Sequence, residues 1–303
     1  MSDDATDAPE SAARKRPVPK DGVYTDRDRD GNLRAEYTIA NGVIDGEARF
    51  YTDGELTQQG TFRNGKLHGE NRFFKDGEIT QQSHHQDGVL DGEYVEYSDG
   101  RPSARHHFSN GVLNGVSEFY SDGRLTQRTS YVDGFVEGET VLFDDLGDVQ
   151  QTVQFVRGRK EGLCIVYDKG RPLIETEFRN DLQNGWLTTF SPVGRPMAKI
   201  PYADGVKHGE ARYYDMDGNV VKRETFAGGK LNGPAVEFLP DGTRIRESMY
   251  EDDLLQGWVV EFSHKGRETF RQQFVDGEPQ GPKLEKTRFG HREVTEGEED
   301  QNT

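Results

Sequence analysis

Residues 64–82 read NGKLHGENRFFKDGEITQQ. Two turn dipeptides, Asn64-Gly65 and Asp76-Gly77, bracket a short run rich in Phe. Asn-Gly and Asp-Gly are the pairs a type I′ turn selects, because that turn needs positive φ at both central residues. A run of ten residues closed by such a turn at each end predicts β-strands joined by tight hairpins.

Followed outward, this stretch recurs along the chain. The glycine at Gly69 returns as Gly46, Gly92, Gly115, Gly138, Gly162, Gly185, Gly209, Gly233, Gly257 and Gly281, at intervals of 23 or 24. Five residues beyond it stands an aromatic column, Tyr51, Phe74, Tyr97, Tyr120 and Phe143, continuing to Phe262. A second column reads Phe62, His85, Phe108, Tyr131, Phe155 and onward to Phe274. Self-similarity at a fixed period marks a repeat architecture in which each unit touches mainly its neighbours. The fold expected is all-β: an elongated, single-sheet antiparallel β-meander of about ten hairpin repeats.

Counting residues sharpens this expectation. Across a two-residue turn Tyr51 should face Leu56, and Phe62 should face Leu67. Two such turns make same-face residues an even distance apart, yet the columns recur at 23. One extra residue per repeat must therefore be absorbed as a β-bulge, and Gly46 with its equivalents is the expected place. In the 24-residue repeats the added residue falls in the first turn, as in Asp144-Asp145-Leu146-Gly147. On this count both aromatic columns share one face, so Tyr120 is expected buried and Phe119 on the other side.

The ends differ from the array. Residues 1–20 form a polar leader expected to be disordered, and residues 21–45 a degenerate capping repeat. The array proper spans residues 46–282, and residues 283–303 read as an acidic tail.

Composition then excludes whole classes. Only 32% of the 303 residues are apolar, 31% are charged, and the net charge is −17. No apolar stretch reaches the 18 or so residues that a spanning helix needs, so membrane insertion is not expected. Strong acidity disfavours nucleic acid and points to a protein partner with a basic surface. The opening MSDDATDAPESAARKRP carries no apolar signal-like region, and a single cysteine fits a reducing, cytoplasmic compartment.

Candidate chemistry is sparse. Cys164 falls in a column otherwise held by Ala48, Asn71, Ser117 and Thr140, which reads as a small strand residue. His84 and His107 repeat at 23, about 10 Å apart as two strand spacings, too far for one zinc ion. Glu47, Glu70 and Glu93 follow the repeat glycine as an acidic row, without the pairing that carboxylate catalysis requires. No catalytic, metal or cofactor residue is expected. Departures from the repeat mark a partner surface instead: Trp186 and Trp258 replace that glutamate, and Phe270 lies off both aromatic columns. Oligomeric state is open at this level.

The unit resembles the MORN-variant repeat of bacterial YwqK-family proteins, over residues 31 to about 282. The pattern NGxxxGExxxYxxDG is matched best in residues 42–54, 65–77, 88–100 and 205–218. It departs at Asn180-Asp181 and Asp252-Asp253, where the turn glycine is missing. The resemblance implies a hairpin-repeat fold and an antitoxin or immunity-like role, masking a basic effector. A scaffold that spaces several protein partners is the other reading.

Overall fold

The computed structural model describes residues 19–294. These residues are all β: 27 strands and no helix. The described residues divide into two compact units, one ending at Val112 and the other starting at Leu113. In the first, strands Gly22–Arg27, Leu33–Ala40, Val43–Thr52, Glu55–Arg63, Lys66–Lys75, Glu78–Gln86, Val89–Ser98 and Arg101–Ser109 each pair antiparallel with the next. The second repeats this meander from Gly115–Ser121 to Gly290–Glu293.

Turn chemistry is as the dipeptides dictate. Asn64 and Gly65 sit at φ 51 and 75, the left-handed region that Asn and Gly tolerate. At Asn180-Asp181 and Asp252-Asp253 the turn survives without glycine, Asp181 at φ 69 and Asp253 at φ 73. Each aspartate is held there by a bond to the previous repeat, its Oδ1 accepting from Lys160 N at 2.8 Å and Leu231 N at 2.7 Å respectively. Extended repeats close three-residue loops instead, such as Asp145-Leu146-Gly147, where Asp144 N donates to Asp148 O at 2.9 Å.

Successive turns are stitched together. Gly65 N donates to Ile44 O at 2.8 Å, Gly88 N to Leu67 O at 2.7 Å and Gly111 N to Leu90 O at 2.7 Å. In several repeats the residue before the repeat glycine caps the following turn: Asp45 Oδ2 accepts from Asn64 N at 2.9 Å, and Asp91 Oδ2 from Asn110 N at 3.1 Å. These bonds join each repeat to the next, the nearest-neighbour coupling of a solenoid.

Tyr51 faces Leu56 and Phe62 faces Leu67, as residue counting requires. The bulge lies elsewhere than expected. The register slips by one between Phe50 and Tyr51, leaving Thr57 as the extra residue, with its Oγ1 donating to Phe50 O at 3.2 Å. The same hydroxyl bond recurs at Thr80 and Thr126. At the repeat glycine the offset is two residues, which preserves facing. Because the one-residue bulge falls between the two aromatic columns, they point to opposite faces, not to one. Phe50 and Phe62 share a side, their rings 6.2 Å apart, whereas Tyr51 donates to Glu36 on the other at 2.9 Å. Tyr120 and Phe119 are correspondingly both half-buried, on opposite sides.

In each unit one face carries a transverse row of small residues that forms its core: Ala48, Gly60, Asn71 and Ser83 in the first, Ser117, Thr129, Thr140, Val153 and Cys164 in the second. Ala48 is 1% exposed and Asn71 1%. Small side chains dominate the interior because a single sheet has no second layer to receive large ones. The C-terminal boundary also differs from expectation. Residues read as an acidic tail form strands, Glu278–Thr287 pairing with Gly290–Glu293 through a turn at Arg288-Phe289. That turn has no Asn-Gly or Asp-Gly signal to announce it. The leader's residues 1–18 and the tail's 295–303 lie outside the described residues.

Candidate protein-binding face

In the first unit the face opposite the small-residue row carries a series of ion pairs. Glu47, Glu70 and Glu93 all project there, across from Thr61, His84 and His107. They are not a bare acidic row. Arg49 pairs with Glu47 at 3.8 Å, Arg72 with Glu70, and Arg105 with Glu93 at 3.6 Å. Exposed pairs of this kind contribute about 0–1 kcal/mol each, so they shape the surface more than they stabilise it.

In the second unit Trp186 and Trp258 occupy the same repeat position, on the face opposite that unit's small-residue row, and are 43% and 41% exposed. Trp186 lies opposite Pro201. Trp258 lies opposite Gln273, and the Arg271 guanidinium stands 5.3 Å from its ring centroid, a cation–π arrangement. Arg271 is itself clamped: its Nε and Nη2 donate to Glu268 Oε1 and Oε2 at 2.6 and 2.8 Å. His291 Nε2 lies 2.8 Å from the same carboxylate. The two Arg271 bonds, aided by His291 and opposed by burial, hold the Glu268 carboxyl at about 2, below its ordinary 4.5.

Phe270 is not part of this group. It lies on the small-residue face, opposite Glu261 and Glu285, with Lys283 Nζ 4.6 Å from its ring. Cys164 is buried in the small-residue row, its sulfur accepting from Gln151 Nε2 at 3.1 Å. Burial lowers the pKa of His85 and of His106. Among the described residues no three His, Cys, Asp or Glu side chains converge as a metal site.

Two hollows in the second unit, on the same side as its tryptophans, were not anticipated. Each has a volume of about 430 Å³ and sits where a three-residue loop overhangs the preceding repeat. Leu125, Phe143 and Leu146 line one; Val220, Phe238 and Pro240 line the other. In both an arginine stands over the ring, Arg128 at 6.0 Å from Phe143 and Arg223 at 4.8 Å from Phe238. The loop of the first hollow is tied down from the repeat before, Arg124 Nη1 donating to Asp145 O at 2.9 Å, and Arg195 Nη1 holds the extended turn at Asp215–Gly218 in the same way, donating to Met216 O at 2.6 Å. An arginine following the turn glycine, one repeat ahead of an extended turn, is the pattern that announces these clamps.

A search of the curated proteins gave no match to this chain. The MORN repeat family model matches residues 59–70, 202–220 and 225–244. Residues 59–70 run through the Phe62 strand into Gly69, and the later matches cover the hairpins beside Phe226 and Phe238. Three segments of the chain are thus similar to the MORN repeat, and each lies within the hairpin array.

Proposed function

We propose that this chain is a non-enzymatic protein-binding repeat that docks a protein with a basic surface on the tryptophan-bearing face of its second unit. The observation that carries it is the pair Trp186 and Trp258, two-fifths exposed at one repeat position on one face. Trp is enriched at interface hot spots, and a ring left this open has apolar area still to bury. The net charge of −17 favours encounter with a basic partner. The narrower role of an antitoxin or immunity-like protein rests on the YwqK-family resemblance alone.

A scaffold role has its own support in the twin hollows, since two equivalent sites in different repeats could hold two partner segments. Affinity capture from native cells, with bait carrying Trp186→Ala and Trp258→Ala beside wild type, tests the main reading. Loss of a basic partner from the double variant is expected; undiminished capture would overturn it. Mass measurement of the complex separates the two roles, one partner per chain against two.

A further inference from the structure

An open sheet exposes two edges, and the two here are treated differently. Strand Gly290–Glu293 is four residues long and carries His291, Arg292 and Glu293, with Arg292 Nε bonded to Glu285 at 2.6 Å. Short, charged strands are how proteins blunt an edge against further pairing. Strand Gly22–Arg27 is longer, has no Pro or Lys, and pairs with no other described strand but Leu33–Ala40. It leaves Val23 81% exposed. Its outward backbone groups form a template for another strand.

We propose that the Gly22–Arg27 edge is the interface with a second copy of this chain, paired antiparallel about a two-fold axis at Tyr24. Three observations select that occupant and register. Tyr24 already stacks on Tyr37, ring centroids 5.8 Å apart and planes at 10°, so a second Tyr24 on the axis extends an existing stack. In this register Arg27 of one copy lies opposite Asp21 of the other, twice by symmetry. Shifting by one residue would instead set Asp21 against Asp26 or Asp28, a like-charge juxtaposition that costs stability. Residues 20–27 contain Lys20, Asp21, Asp26 and Arg27, so the edge is locally neutral in a chain of net charge −17. Self-pairing there avoids the repulsion that the rest of the surface imposes.

One strand pair is a small interface, so the dimer is expected to be weak, in the micromolar range. The test is sedimentation of the full-length chain up to about 100 µM, with variants at Val23 and Thr25, which face each other across the proposed axis. Both are exposed, so substitution leaves the subunit fold intact, as far-UV circular dichroism would verify. Wild type should dimerise. V23K/T25K, with lysines opposite each other, should raise the dissociation constant at least tenfold, while V23E/T25K, with opposite charges facing, should keep the dimer. A wild-type monomer throughout would overturn the proposal. So would a dimer indifferent to V23K/T25K, which would place the contact on another surface, or a V23E/T25K monomer, which would exclude this register.

Discussion

Asn71 Oδ1 lies 2.7 Å from the point where a Cβ on Gly60 would stand. Gly60 and Asn71 are cross-strand partners in the small-residue row, and Asn71 is 1% exposed. The glycine is required here for space. Gly60→Ala should push the carboxamide away from Gln58, whose Nε2 it accepts from at 2.8 Å. The expected cost is about 1–3 kcal/mol, as for other overpacked cores. Asn71→Ser, taking the residue that Ser117 supplies in the same column, removes the obstacle. The double variant should therefore lose less than the sum of the singles, by about 1 kcal/mol. Urea unfolding midpoints measure this, and strictly additive losses would show that the contact is not the constraint.

Glu268 sets an acid limit on the C-terminal repeats. Its folded value of about 2 lies below the ordinary 4.5 because ionisation is favoured by Arg271 and then His291. A depressed carboxyl contributes its stability in full above the ordinary value and loses it as pH falls towards the folded one. Glu268→Gln should therefore lower stability by at most about 3 kcal/mol at neutral pH. The gap to wild type should close as pH falls from 4.5 towards 2. Melting curves across that range decide it; a gap independent of pH would mean the carboxylate acts only by shape.

Two turns keep a residue poorly suited to its backbone. Arg157 and Lys169 both sit at φ 49, where Asn64 and Asp76 stand in equivalent turns. The left-handed region costs most side chains about 1–2 kcal/mol, and Asn least among those with a Cβ. Lys169→Asn should stabilise the chain by about 0.5–1 kcal/mol. Arg157→Asn should act likewise, since the bond from Arg157 N to Glu137 Oε2 at 2.8 Å uses only backbone on its side. Destabilisation by either would mean the long side chain holds something the turn needs.

How much of this was legible in the sequence depends on range. Cross-strand pairs such as Tyr51 with Leu56 follow from turn length alone, and the turns announce themselves. The facing of the columns does not follow, because it depends on which residue is left unpaired. Thr57 takes that place through a hydroxyl bond to a carbonyl on the neighbouring strand, a tertiary detail no period records. Asp45 and Asp91 stand before the repeat glycine at a position that varies along the chain, His68 and Asn114 taking it in other repeats. Their task, capping the turn of the following repeat, needed the third dimension. Trp258 stood out as a break in the pattern. Its partner Arg271 did not, since their pairing arises from the register of two strands.

The partner's kinetics should separate the effect of the acidic charge from that of the exposed aromatics. Glu47, Glu70 and Glu93 are exposed and half-neutralised by neighbouring arginines, so they act at a distance and through solvent. Screening within about 8–10 Å should then slow association with a basic partner markedly between low and physiological salt. Trp186 and Trp258 act only on contact. Replacing either by Ala should leave the on-rate within about threefold and raise the off-rate at least tenfold, as truncated hot spots do. Stopped-flow rates against the captured partner measure both. An on-rate indifferent to salt would leave the acidity as a device for keeping an exposed sheet soluble. An off-rate unmoved by Trp258→Ala would assign that ring to its Arg271 stack alone, and the binding face would have to be sought around the hollows of Phe143 and Phe238.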